Sequence, residues 1–254
     1  MASSSGRSPR RVNFEHPALA AYEFSTTKPA EDSLSWKLWL DCQDLAQEAL
    51  ASDYIQGLRS GHLDPRRFGQ YTVQDAAYCY HAQADYERIE ERALAAGFPE
   101  LGAFAKARVE SYQSYNQSFL KEWHISSGEA VVPSSAAKTY IDFEHHVACD
   151  LPPIYGVLVM VPCDQLWSWL ATELQPEATK DNIYGFWAKD NEDWHGSYRL
   201  DNFIDRWFKE HPEVYDQETA LYVLRSGMTC EVNFFRTTCG QDPLPMPAKP
   251  AAGS

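Results

Sequence analysis

The chain is short of positive charge. It has 22 Lys and Arg against 36 Asp and Glu, a formal net charge of −14 with His neutral. That balance repels phosphate backbones and anionic lipid faces, which argues against nucleic-acid and membrane partners. Long apolar runs are also missing. The best is Ile154 to Val161, eight residues, against the roughly 18 that suggest a membrane span. The start does not read as a secretory signal, because Met1 to Arg11 is rich in Ser and Arg with no apolar run. A mitochondrial presequence would need an amphipathic helix there, which Pro9 and Glu15 oppose. The cysteines at 42, 79, 149, 163, 230 and 239 form no CxxC and no Cys/His set with zinc spacing. They read as reduced thiols of a cytoplasmic protein, most of them small buried hydrophobes. Strict alternation bounded by hairpin turns is missing, and so are repeats.

What is present is helical periodicity and many rings: 8 Trp, 14 Tyr and 12 Phe in 254 residues. Much of that must be core, yet it also suits a pocket for a flat ligand. Apolar spacings of 3 and 4 predict a helix over Ser33–Gly57. Asp64-Pro65 opens a second that Gly97 stops, and Pro99 opens a third through Phe119. After a loop over Ser126–Pro133, Ser134 or Ser135 caps a fourth. Pro152-Pro153 opens a fifth, which Pro162 should kink by removing a hydrogen bond. Shorter helices fall around Asp181–Asp190 and Leu200–His211, and Pro212 starts the last. The expectation is an all-α bundle of seven or eight helices in a single domain at 33–239. A lead-in at 1–32, disordered or extended, precedes it, and a disordered tail at 240–254 follows.

Four helical pairs place polar or aromatic groups where a core stripe would prefer Leu. Asp75 and Tyr78 stand at i and i+3. An Asp on such a face either serves a ligand or is tied to a neighbouring helix. Cys163 follows a Pro kink that could free backbone amides toward the thiol, although a lone Cys is commonly a small core residue. Glu231 and Phe234 are again i and i+3, where an acid beside a ring suits a proton donor, or else a solvated rim. Tyr140 and Phe143 share a face, as ordinary core aromatics also do.

In order, Gln74-Asp75-x-x-Tyr78, Tyr140-x-Asp142-Phe143, Pro162-Cys163 and Glu231-x-x-Phe234 resemble the TenA family, also called thiaminase II. Flanking pieces agree: Tyr54-Ile55-x-Gly57-Leu58 with Gly61, Phe68-x-x-Tyr71, and Tyr184-x-x-Trp187. The resemblance spans about residues 34 to 239. It implies a haem-oxygenase-like helical bundle that hydrolyses thiamin breakdown products, chiefly an aminomethyl-aminopyrimidine, to the salvaged hydroxymethyl-pyrimidine. It implies Cys163 as nucleophile, Glu231 as acid/base and Asp75 as pyrimidine anchor. Tyr140 and Phe234 would sandwich the ring, and Tyr78 would support the site. No cofactor is implied, and a homo-oligomer, tetramer or dimer, is. Two positions depart from the pattern: Asn191 and Trp167 stand where relatives place Tyr, with Tyr184 a partial substitute. Both bear on the leaving-group half of the substrate.

Two other readings compete. A haem oxygenase needs an axial His on the first helix, which Ser33–Gly57 lacks. A di-iron oxidase would draw on Asp75, His81, Glu144, His145, Asp193 and His195, whose spacing does not repeat Glu-x-x-His. The other is a pyrimidine or thiamin binder without catalysis, or an enzyme redirected to another amine.

Overall fold

The computed structural model describes residues 25–250. The lead-in reading therefore falls largely outside the described residues, as does the end of the tail. Eleven α-helical segments and no strand occur among the described residues.

The first predicted helix is three: α1 (Leu34–Leu40), α2 (Gln43–Ala51) and α3 (Asp53–Ser60). Ser33 caps α1 by accepting from the Trp36 amide. The breaks have local causes. Ser52 takes an extended backbone (ψ 146°) and its hydroxyl accepts from Ile55 N, so it ends one helix and starts the next. Gly61, at φ 75°, closes α3 in the left-handed region that favours glycine.

The long antiparallel pair α4 (Pro65–Ala95) and α5 (Pro99–Glu122) follows the prediction. Asp64 caps α4 from one side of Pro65, and Gly97 (φ 81°) turns the chain. Ser134 is the residue that caps α6 (Ser135–Asp150). The fifth predicted helix divides into α7 (Pro153–Val159) and α8 (Val161–Leu174) at Met160, two residues before Pro162. The proline interrupts as expected. Together the two segments reach mean hydropathy 1.2 over 18 residues, long and apolar enough to cross a membrane, but 89% of that window is buried inside the protein. Counting only uninterrupted apolar residues overlooks this core segment.

Next come α9 (Gly185–Asn191) and α10 (His195–Glu210). The last helix, α11 (Gln217–Thr238), begins later than predicted. Pro212 opens a turn instead, and Asp216 is the true cap, accepting from Thr219 N at 2.7 Å. Ser226 through Phe235 is buried on every side, so α11 serves as the axis for α2, α3, α4, α6, α7 and α8. Gly227 permits this. A Cβ there would sit 3.0 Å from the Pro162 ring and 3.2 Å from the Val159 carbonyl, so α11 lies tight against the α7–α8 break.

The tail departs from expectation. The Asn233 amide brackets Leu244, donating to its carbonyl at 3.0 Å and accepting from its N–H at 2.6 Å. Arg236 donates to the Asp242 carbonyl. A single side-chain amide thus mimics a strand partner and ties irregular chain to α11.

Candidate functional site

One cavity opens between α3, α4, α5, α8, α9 and α11. It holds about 930 Å³ of empty space, mouth included, room for a small heterocycle. Asp75 and Tyr78 reach it from α4, Cys163 from α8, Asn191 from α9 and Glu231 from α11. These five proposed site residues, distant in sequence, are brought to one space. All are buried, yet they face a hollow rather than packed neighbours.

Tyr140, Phe234 and Tyr184 stand behind that wall. Tyr140 is fully buried, its ring stacked on Tyr78 at 4.6 Å and 27°. Phe234 packs on Tyr71 at 4.6 Å. Tyr184 donates to the Leu63 carbonyl and packs on Phe68. Neither ring of the expected Tyr140 and Phe234 sandwich lines the hollow; Tyr78 and Tyr71 stand one layer in front of them and do, together with rings of other helices such as Tyr112 and Trp167. Helical spacing names a face but not which neighbouring ring covers it.

The thiol end is built on the break in α8. Pro162 leaves Met160 at the junction, and its carbonyl accepts from the Cys163 thiol at 3.1 Å. The expected freed amides are thus replaced at this contact by an acceptor. Cys163 still sits in the first turn of a helix. The Tyr112 hydroxyl lies 3.5 Å from Sγ. Next to Cys163, Asp164 accepts from the Arg108 guanidinium at 2.7 Å, both side chains more than nine-tenths buried. Arg108 also donates to the Tyr86 hydroxyl and lies over the Tyr86 and Tyr112 rings at 5.2 and 5.4 Å. Asp164 and Tyr86 hold its guanidinium charged despite the burial.

At the acid end the Tyr140 hydroxyl donates to Glu231 Oε1 at 3.2 Å, and Trp167 Nε1 lies 3.4 Å from Oε2. Trp167, the departure from the family pattern, packs on Trp187 and lines the cavity. Asn191 donates to the Trp187 carbonyl at 2.8 Å. Behind this layer is Glu144, 1% exposed, with Oε1 2.9 Å from the Tyr78 hydroxyl. Burial, reinforced by nearby Asp85, holds the Glu144 carboxyl well above its ordinary value of 4.5. Burial likewise raises the hydroxyls of Tyr71, Tyr78, Tyr112 and Tyr140, so all four stay protonated.

Arg108, Tyr112 and Asp164 lie outside the sequence-predicted set. Arg108, Ser111, Tyr112, Tyr115 and Phe119 recur at spacings of 3 and 4 and all line the cavity. A cation heading an aromatic helical stripe was the available signal. Among the described residues no group of three or more His, Cys, Asp or Glu is placed to hold a metal ion. The residues weighed for iron have other company: Glu144 meets Tyr78, His145 bonds Asp85 at 2.7 Å, and His195 pairs with Asp193 at the surface.

The same arrangement of helices occurs in solved structures. A TenA homologue from P. horikoshii OT3 matches 81% of this chain and 98% of its own, with TM-score 0.66 at 20% identity. A TenA family transcription regulator from a Silicibacter species matches 82% and 97%, with TM-score 0.70 at 12% identity. This is the TenA fold. A chain from Sulfolobus solfataricus P2, described as a candidate TenA-like thiaminase, shares it at TM-score 0.56 and 16% identity over 82% of this chain and 96% of its own. No family profile and no curated protein sequence matches the chain.

Proposed function

We propose that the protein is an aminopyrimidine hydrolase of thiamin salvage, releasing the amine from an aminomethyl-aminopyrimidine by nucleophilic catalysis. The observation that carries this reading is the convergence of Cys163, Glu231 and Asp75 from three helices on one aromatic-walled cavity. The likeness of fold to TenA-like proteins supports it.

The chemistry follows from the residue types. An aminopyrimidine is flat and electron-poor, and the Tyr78 and Tyr71 rings offer it faces. Asp75 accepts from the exocyclic amine and fixes the ring's register. Glu231 protonates a ring nitrogen, which makes the adjacent carbon electrophilic. The Cys163 sulfur adds to that carbon and breaks aromaticity, and its thiol proton passes to the amine, which departs from the neighbouring CH₂ as ammonia. Water adds to that CH₂ and its released proton goes to the sulfur as the carbon–sulfur bond breaks, while the ring nitrogen returns its proton to Glu231. The Arg108–Asp164 pair and the Met160 carbonyl hold the helix turn that presents the sulfur. Trp167 and Asn191 narrow the side where the leaving group exits, favouring a small amine over the thiazolium of intact thiamin. Six free thiols fit a reducing compartment.

The test is turnover of aminomethyl-aminopyrimidine against its formylated derivative and thiamin. Ammonia release with the first far exceeding the others supports the reading. No turnover of any of the three removes it.

A further inference from the structure

Glu144 is a buried acid that the reaction above does not use. It is joined to Glu231 through two tyrosines. Glu144 Oε1 lies 2.9 Å from the Tyr78 hydroxyl, the Tyr78 and Tyr140 hydroxyls are 3.5 Å apart, and Tyr140 donates to Glu231 Oε1 at 3.2 Å. The two rings are stacked, which fixes the spacing of their hydroxyls. The groups acting on Glu144 are Asp85 and Tyr78 of α4, Tyr140 of its own helix, and Glu231 of α11. Cys230 of α11 lies near enough that a charge on Glu144 would raise its thiol. The exposed His145 meets Asp85 rather than Glu144. Glu231 is faced by Tyr71, Tyr140, Trp167 and Cys230.

We propose that Glu144, Tyr78, Tyr140 and Glu231 form a proton relay in which the two carboxyls titrate as one pair and Glu144 holds the reserve proton. The proposal rests on Glu231 being the acid of the hydrolase. When Glu231 gives its proton to the ring nitrogen, the Tyr140 hydroxyl proton moves to Glu231. The Tyr78 proton moves to Tyr140, and the Glu144 proton moves to Tyr78. Each tyrosine gains one proton and loses one. The negative charge travels from Glu231 to Glu144, and the chain runs in reverse when the ring nitrogen gives its proton back. Two coupled buried carboxyls share their last proton to higher pH than either would hold it alone. Glu144 is thus a positioning residue for the proton, acting through Glu231 without touching substrate.

The experiment is infrared spectroscopy of full-length protein carrying carbon-13 glutamate, read beside the pH profile of turnover. A protonated-carboxyl band at neutral pH should vanish in Glu144→Gln and shift in Glu231→Gln. Adding Tyr140→Phe should abolish that shift. In turnover, Glu144→Gln should lower kcat about tenfold at unchanged KM and move the alkaline limb to lower pH, with Glu144→Asp recovering part. Should Glu144→Gln fail to fold, Tyr140→Phe keeps both carboxyls and should show the same kinetic pattern. A band indifferent to Glu231→Gln, or wild-type pH profiles in both Glu144→Gln and Tyr140→Phe, overturns the relay. Intact band coupling in a protein that turns over none of the pyrimidines upholds the coupled pair and removes the hydrolase reading instead.

Discussion

The two ends of the cavity bury ionisable groups in opposite ways. At the thiol end, Arg108 and Asp164 are charged and cancel each other at 2.7 Å. At the acid end, Glu144 is bridged to Glu231 by tyrosine hydroxyls, and burial keeps Glu144 in its neutral form. The first arrangement is insensitive to pH near neutrality but intolerant of losing a partner. The second tolerates an isosteric neutral replacement but stores protons. A nucleophile gains from a fixed electrostatic setting, whereas an acid/base gains from groups that exchange protons. The division of the cavity matches the proposed division of labour.

The largest effect that would break this comparison is at the pair. Arg108→Met leaves Asp164 buried without its cation and should cost about 3–5 kcal/mol of stability, read by urea denaturation. Glu144→Gln, which replaces a neutral acid with a neutral amide, should cost less than about 1 kcal/mol. Equal losses would erase the distinction between the ends. Next in size, Glu231→Gln should slow kcat about 100-fold with little change in KM. Full kcat in that variant would take the acid role from Glu231.

A smaller effect concerns pH and stability. The Glu144 carboxyl sits above 4.5 in the fold, so the folded state retains a proton that the unfolded chain gives up as pH rises through that value. Stability from this group should therefore fall between the ordinary carboxylate range and neutral pH, by at most about 1.4 kcal/mol per pH unit. Buried Asp201 adds the same sign, raised by burial and by Asp205. Glu144→Gln should flatten the slope measured by denaturation between pH 5 and 7, roughly the span set by the reference carboxylate values, and Arg108→Met should not. The smallest effect is at Trp167. Removing its N–H toward Glu231 by Trp167→Phe should lower kcat only about threefold, in line with one lost hydrogen bond, in steady-state assays.

Signals local in the chain carried most of the helix reading. Ser33, Asp64-Pro65, Gly97, Pro99 and Ser134 each act within one turn of where they stand, and each sits at the boundary expected. The breaks at Cys42 and Ser52 went unread although Leu40, Leu45 and Leu50 stand five apart, a spacing that no single face of a straight helix repeats. The Pro212 start failed because Asp216 caps more strongly than a proline opens. Asp75, Tyr78, Cys163 and Glu231, which the structure brings to the cavity, stood out as helical pairs and a Pro-Cys turn that the ordered family resemblance tied together, and Asn191 only as a departure from that resemblance. Tyr140 and Phe234 stand one layer behind the cavity wall, a depth the sequence does not show because it depends on which ring of another helix stands in front. Arg108 pairs with a residue 56 positions away, and nothing local in either helix points to the other. Glu144 stood out in the sequence only as one candidate for the disfavoured di-iron site, because the tyrosine it meets lies 66 residues off.

The central claim is that this cavity makes a covalent bond through Cys163, and Cys163→Ala tests it most directly. Ammonia release from aminomethyl-aminopyrimidine and equilibrium binding of the same compound should be measured on wild type and variant together. The account predicts turnover in the wild type, at least about 1000-fold less in the variant, and binding preserved within a few-fold. A variant that turns over at the wild-type rate would contradict it.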